Sequence, residues 1–179
     1  MAALLSLTML NGALGDAADD GTVMTLDGYL AQTTGFSASA TFTPAAASHV
    51  ANDCNGAAGT FANMGLSGKR IVITSATLEI DGATAEATAW RLYLYNVTPP
   101  SATADDGAWD LVSGDRASFL GYIDLGTAVD LGSTQWVENH GLNKQLKLAG
   151  ADLFGYLVNL TTLTPAAVAH IVTLHGVGL

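Results

Sequence analysis

Three groups of residues have types that could do chemistry. His49 and Cys54 lie five apart, and a thiol beside an imidazole is the starting point of nucleophilic catalysis, in which the base takes the proton and the thiolate attacks. A working dyad also needs contact and a third group to orient the base, and this spacing supplies neither. The expectation is a buried thiol, the usual fate of a lone cysteine.

His170 and His175 fall in one alternating run, where an odd separation sends them to opposite faces of a strand. They cannot share a zinc ion unless a bulge intervenes, with His140 the other histidine near in sequence. Asp105, Asp106, Asp110 and Asp115 could offer oxygens to calcium, but their spacing matches no EF-hand loop, and Asp105-Asp106-Gly107 reads equally as a solvated turn. No cofactor is expected, with calcium on those four aspartates as the alternative. No nucleophile elbow, Walker loop or dinucleotide fingerprint stands in a usable context, so the chain reads as a non-enzyme.

The elements that must position these residues are short strands. Arg70 to Ile80 is built largely of Ile, Val and Thr, whose branched β-carbons suit a pleated surface. Its alternation changes phase: Ile71 and Ile73 point one way, Leu78 and Ile80 the other, which predicts a bulge or bend near Thr74 to Thr77 where the strand passes between sheets. Trp90, Leu92 and Leu94 share a face expected to be core, while Arg91, Tyr93 and Tyr95 share the opposite face. Two tyrosines and an arginine on one face suit a subunit interface or a sugar platform. The prolines after Val97 end that strand and open a loop of about twenty residues.

Further strands are expected around Thr41-Phe42-Thr43, at Ser48 to Asn52, from Phe119 to Leu125, and over Thr134 to Glu138, Lys144 to Leu148, Leu153 to Leu160 and Val168 to Val177. Eight or nine antiparallel strands without helical patterns between them predict an all-β, two-sheet sandwich of jelly-roll type, a closed barrel being the alternative. The first 35 residues differ. Leu4, Leu7, Leu10 and Leu14 recur at helical spacing, an acidic turn-rich run follows, and Val23 to Leu30 is a strand or an extended arm. The domain reading is an amino-terminal arm or short helix over residues 1–35, used for oligomer or capsid contact, and a sandwich domain over 36–179.

Composition limits the partners. The net charge of -10 repels phosphate backbones and anionic lipid, so direct nucleic-acid binding and membrane association are not expected. Hydrophobic residues make up 49% and charged residues 12%, enough for a core, and so few charges leave much of the surface neutral or covered by other subunits. The single cysteine forbids an intrachain disulfide. The apolar start lacks the positive region of a signal peptide, the first basic residue being Lys69.

Phe42-Thr-Pro-Ala-Ala-Ala-Ser-His49, Ile73-Thr-Ser-Ala-Thr-Leu-Glu-Ile-Asp81, Arg91-Leu-Tyr-Leu-Tyr95 and Phe119-Leu-Gly-Tyr-Ile-Asp124 together resemble strand motifs of structural proteins of tailed bacteriophages. The resemblance covers roughly residues 36 to 179 and carries over no binding residue. It implies a virion protein assembled in the bacterial cytoplasm, most like a capsid decoration or cement protein. Its partners would be the major capsid protein and sister copies, as a trimer, with Leu4, Leu7, Leu10, Leu14, Arg91, Tyr93 and Tyr95 as candidate interface residues. The alternative is a carbohydrate- or receptor-binding module of a tail or head fibre, with Trp109 and Trp136 as its suspects.

Overall fold

The computed structural model describes residues 35–99 and 101–179; the expected helix of Leu4, Leu7, Leu10 and Leu14 and the Val23 to Leu30 candidate lie outside the described residues. The described residues form nine strands: β1 (Gly35–Phe42), β2 (Gly59–Phe61), β3 (Arg70–Ile80), β4 (Ala89–Tyr95), β5 (Phe119–Thr127), β6 (Val129–Asp130), β7 (Gln135–Lys147), β8 (Leu153–Asn159) and β9 (His170–Gly178). They form a five-stranded sheet in the order β1-β9-β3-β7-β6 and a four-stranded sheet in the order β2-β8-β4-β5. All pairings are antiparallel, and the architecture is the expected all-β sandwich. The pairs are nested: β1 with β9, β2 with β8, β3 with β7 and β4 with β5. The chain thus reads as a long hairpin, turned between β4 and β5, whose two arms alternate between the sheets.

The phase change in β3 is a bulge, and it keeps the strand in one sheet. Pairing shifts between Ile73 and Ser75 against both neighbours, leaving Thr74 as the extra residue against β9. That residue resets the alternation, so Ile71, Ile73, Leu78 and Ile80 all face the same core at 0% exposure. The expected passage to the other sheet is therefore corrected. Facing the bulge, Gly176 lets β9 approach: a β-carbon there would run into the Phe36 ring and the Val72 carbonyl.

Two other expectations change, and two short strands are added. The runs Thr134 to Glu138 and Lys144 to Leu148 belong to one strand, β7, because His140-Gly-Leu-Asn143 forms an irregularity in the ladder, with Gly141 at φ 74°, instead of a chain-reversing turn. Ser48 to Asn52 makes only an isolated bridge, His49 to Leu163, since Pro44 and the following alanines carry no alternation. The three residues of β2 and two of β6 are too short to show a period.

Between the sheets, Trp90, Leu92 and Leu94 from β4 meet Phe42, Ile73, Leu78, Leu157, Val172 and Leu174 in one continuous core. Each such side chain contributes about 1.5–3 kcal/mol by leaving water.

Candidate functional site

The outer face of the four-stranded sheet carries Arg91, Tyr93 and Tyr95, and the chain covers most of it. Residues 101–118 fold back over the sheet, anchored where Cys54 N donates to Gly107 O at 2.9 Å and Trp109 N to Asn52 O at 2.8 Å. Trp109 stacks on Tyr93 with ring centroids 3.5 Å apart and planes at 6°, and its Nε1 donates to Tyr95 Oη at 3.1 Å. Tyr156 Oη accepts from Thr103 N at 3.0 Å, so each polar tip under the cap has a partner. Tyr93 and Tyr95 are left 6% and 1% exposed, and burial pushes the Tyr95 hydroxyl up to about 12. Of the three candidate interface residues, Arg91 alone keeps a substantial solvent contact. Its Nε donates to Asp124 Oδ1 at 2.6 Å, and its guanidinium lies 4.0 Å from the ring centroid of Tyr122. The Asp124 bond holds the guanidinium well above its usual range. Trp109, a sugar suspect, is committed to this cap, while Trp136 lies half-buried on the other sheet.

The His49–Cys54 dyad is not assembled. Both ring nitrogens of His49 are buried without a hydrogen-bond partner among the described residues; the nearest carboxylate oxygen, Asp105 Oδ1, is 3.9 Å away. Burial, reinforced by the Asp53 and Asp105 carboxylates, pushes the Cys54 thiol up to about 12. At neutral pH it holds its proton and is a poor nucleophile.

The four loop aspartates are dispersed. Asp105 accepts from Ala45 N at 2.8 Å and Gly56 N at 2.6 Å, stapling the loop to the chain after β1. Asp115 is buried and accepts from Ser101 N at 3.2 Å, Asp106 turns the chain at φ 59°, and Asp110 is exposed. Among the described residues no three His, Cys, Asp or Glu side chains gather as a metal site.

As the spacing requires, His170 and His175 lie on opposite faces of β9. His170 is fully buried, and its Nε2 lies 2.8 Å from Glu86 Oε2, a partner 84 residues away that no sequence pattern announces. The other Glu86 oxygen accepts from Ala166 N at 2.9 Å, and Gln135 Oε1 accepts from Glu86 N at 2.8 Å. The edge of Trp90 meets the His170 ring at 5.2 Å. This network ties the connection between β3 and β4, which holds Glu86, to the connection between β8 and β9, which holds Ala166, at one end of the sandwich.

Among the described residues nothing gives the outer face of the five-stranded sheet such a cover. One row across it reads Val129, Trp136, Glu79, Ile171 and Thr41; the next reads Glu138, Thr77, Thr173 and Ser39; the next reads His140, Ser75, His175 and Ser37. Ser39 Oγ bonds Thr173 Oγ1 at 2.8 Å, and His140 Nε2 bonds Glu138 Oε2 at 2.8 Å, which lowers the Glu138 carboxyl. At the β6 edge Val129 and Leu131 are 63% and 66% exposed. No protein-family model matches the chain, and no curated protein matches it in sequence.

Proposed function

We propose that this chain is a non-enzymatic structural protein of a tailed-bacteriophage virion, a decoration or cement subunit that binds the assembled head and sister copies as a trimer. The observation that carries this reading is the outer face of the five-stranded sheet, which the described residues leave uncovered. Its β1 and β9 rows present Ser37, Ser39, Thr41, Ile171, Thr173 and Val177 with no Lys, Arg, Asp or Glu among them, and the β6 edge adds Val129 and Leu131 beside Trp136. Glu79 and Glu138 are the carboxylates in the rows through β3 and β7; in a chain of net charge -10, a face this sparsely charged with an apolar edge suits contact with protein, while the acidic remainder keeps the coat soluble. The nested strand pairing supports the jelly-roll form of the sandwich. A rigid sandwich loses little conformational entropy on docking, and binding only the assembled lattice stabilises that lattice by mass action.

The test is light scattering of the purified chain beside a variant with Val129→Glu and Leu131→Glu. The expected result is a wild-type mass near three subunits that falls to one subunit in the variant, with an unchanged melting temperature. A wild-type monomer, or an oligomer indifferent to both substitutions, would overturn this assignment of the face.

A further inference from the structure

The flank of the sandwich, where β5 of one sheet passes β7 of the other, holds a shallow groove of about 440 Å³ lined by Tyr122, Ile123, Asp124, Asn139, Leu142, Asn143 and Lys144. Its polar groups are positioned by the fold. Asn139 Nδ2 donates to the Asp124 carbonyl at 2.6 Å, which leaves its Oδ1 without a partner among the described residues. Asp124 accepts from Arg91 at Oδ1, and its side chain is about half exposed. Tyr122, 47% exposed and braced by Arg91, supplies an aromatic wall.

Lys144 pairs with Ile73, a core-facing residue, so its side chain starts on the inner face of β7 and crosses the flank toward β5. There its Nζ lies over Gly121, where a β-carbon would come within 3.1 Å; Gly121, at φ 87°, leaves the ammonium its space. Lys144 is half-buried and forms no salt bridge among the described residues. Burial lowers its pKa, the sign of an ammonium that has lost water without gaining a carboxylate.

From this juxtaposition we infer that the groove binds an acidic sugar, a hexuronate-type residue whose carboxylate meets Lys144 Nζ, whose C–H face lies on Tyr122, and whose hydroxyls bond Asn139, Asn143 and Asp124 Oδ2. The mixture of groups selects this class. A single ammonium beside a carboxylate, on a chain of net charge -10, does not hold a polyphosphate backbone. A neutral sugar would use the amides and the ring but leave the ammonium unpaired, whereas a carboxylate adds a charge-assisted bond. The inference does not depend on the virion reading, since the groove and the uncovered sheet face are different surfaces.

The test compares methyl glucuronide with methyl glucoside, which differ only in a carboxylate against a hydroxymethyl group, by amide-resolved NMR titration of the full chain at physiological salt. The expected result is saturable shifts at Gly121, Asn139, Asn143 and Lys144, with the glucuronide bound about fivefold or more tighter than the glucoside. Lys144→Met, which keeps the aliphatic stem, should remove the difference between the two sugars; Tyr122→Ala should weaken both. Thermal melts of both variants establish that they fold. Equal binding of the two sugars, absence of shifts in the groove, or shifts following the glucuronide at Lys69, Arg70 and Lys147 instead would each overturn the proposal.

Discussion

The two sheets of this sandwich treat their outer faces in opposite ways. On the four-stranded sheet the chain builds a second apolar layer, with Tyr93, Tyr95, Tyr156, Cys54 and Val158 buried beneath Trp109 and Leu111 and beside Phe119 of β5. On the five-stranded sheet it leaves Ser, Thr, Ile and Val facing outward and covers nothing from within the described residues. Among the described residues some twenty loop residues cover one face and none the other, so the first is completed by the chain itself; in our reading the second is completed by assembly.

Substitutions should therefore weigh differently on the two faces. The largest effect is expected for Tyr95→Ala, which removes a 1% exposed ring and the acceptor of the Trp109 bond. It should cost about 3–5 kcal/mol in chemical denaturation. A loss below about 1 kcal/mol would mean that the cap is not part of the cooperative fold.

Alkaline pH should reveal the same asymmetry more mildly. Tyr95 and Cys54 have ordinary values of 10.0 and 9.0, and in the folded chain both are raised to about 12. Above about pH 9 the unfolded chain thus holds fewer protons than the folded one, so stability falls as pH rises toward 12. Tyr95→Phe should flatten the part of that fall lying above pH 10. An unchanged slope in the variant would show that Tyr95 does not carry it.

The smallest effect belongs to the uncovered face. Thr173→Ala deletes an exposed hydroxyl pair with Ser39, and isolated stability should change by no more than about 0.5 kcal/mol. A loss as large as that of Tyr95→Ala would erase the distinction between the faces.

How much of this was legible depended on whether a signal was local. The bounds of β3 and the buried trio Trp90, Leu92 and Leu94 follow from alternation and branched side chains, and the bulge at Thr74 from the break in that alternation. The direction of its consequence was not legible, because only pairing with β9 and β7 shows that the extra residue restores the face. Tyr93 and Tyr95 read as bulky on an outer face, but their cover comes from a loop whose path is set by bonds from residues 52 to 54. Glu86 meets His170 because β9 pairs beside the end of β3, where His170 faces Ile80, and Tyr122 and Lys144 line one groove because the sheets stack. Neither pair has a sequence spacing that physics would favour.

The most direct test of the central claim uses the low reactivity of buried Cys54. Reporter cysteines added one at a time beside Cys54, Ser37→Cys on the uncovered face and Asp110→Cys on the capping loop, start from exposed positions and can be labelled with a maleimide before and after co-sedimentation with expanded empty capsids. We expect both to react in the dissociated chain. On the shells, Ser37→Cys should lose its reactivity while Asp110→Cys keeps it. Failure to co-sediment, or equal labelling of the two sites on the shell, would contradict the account.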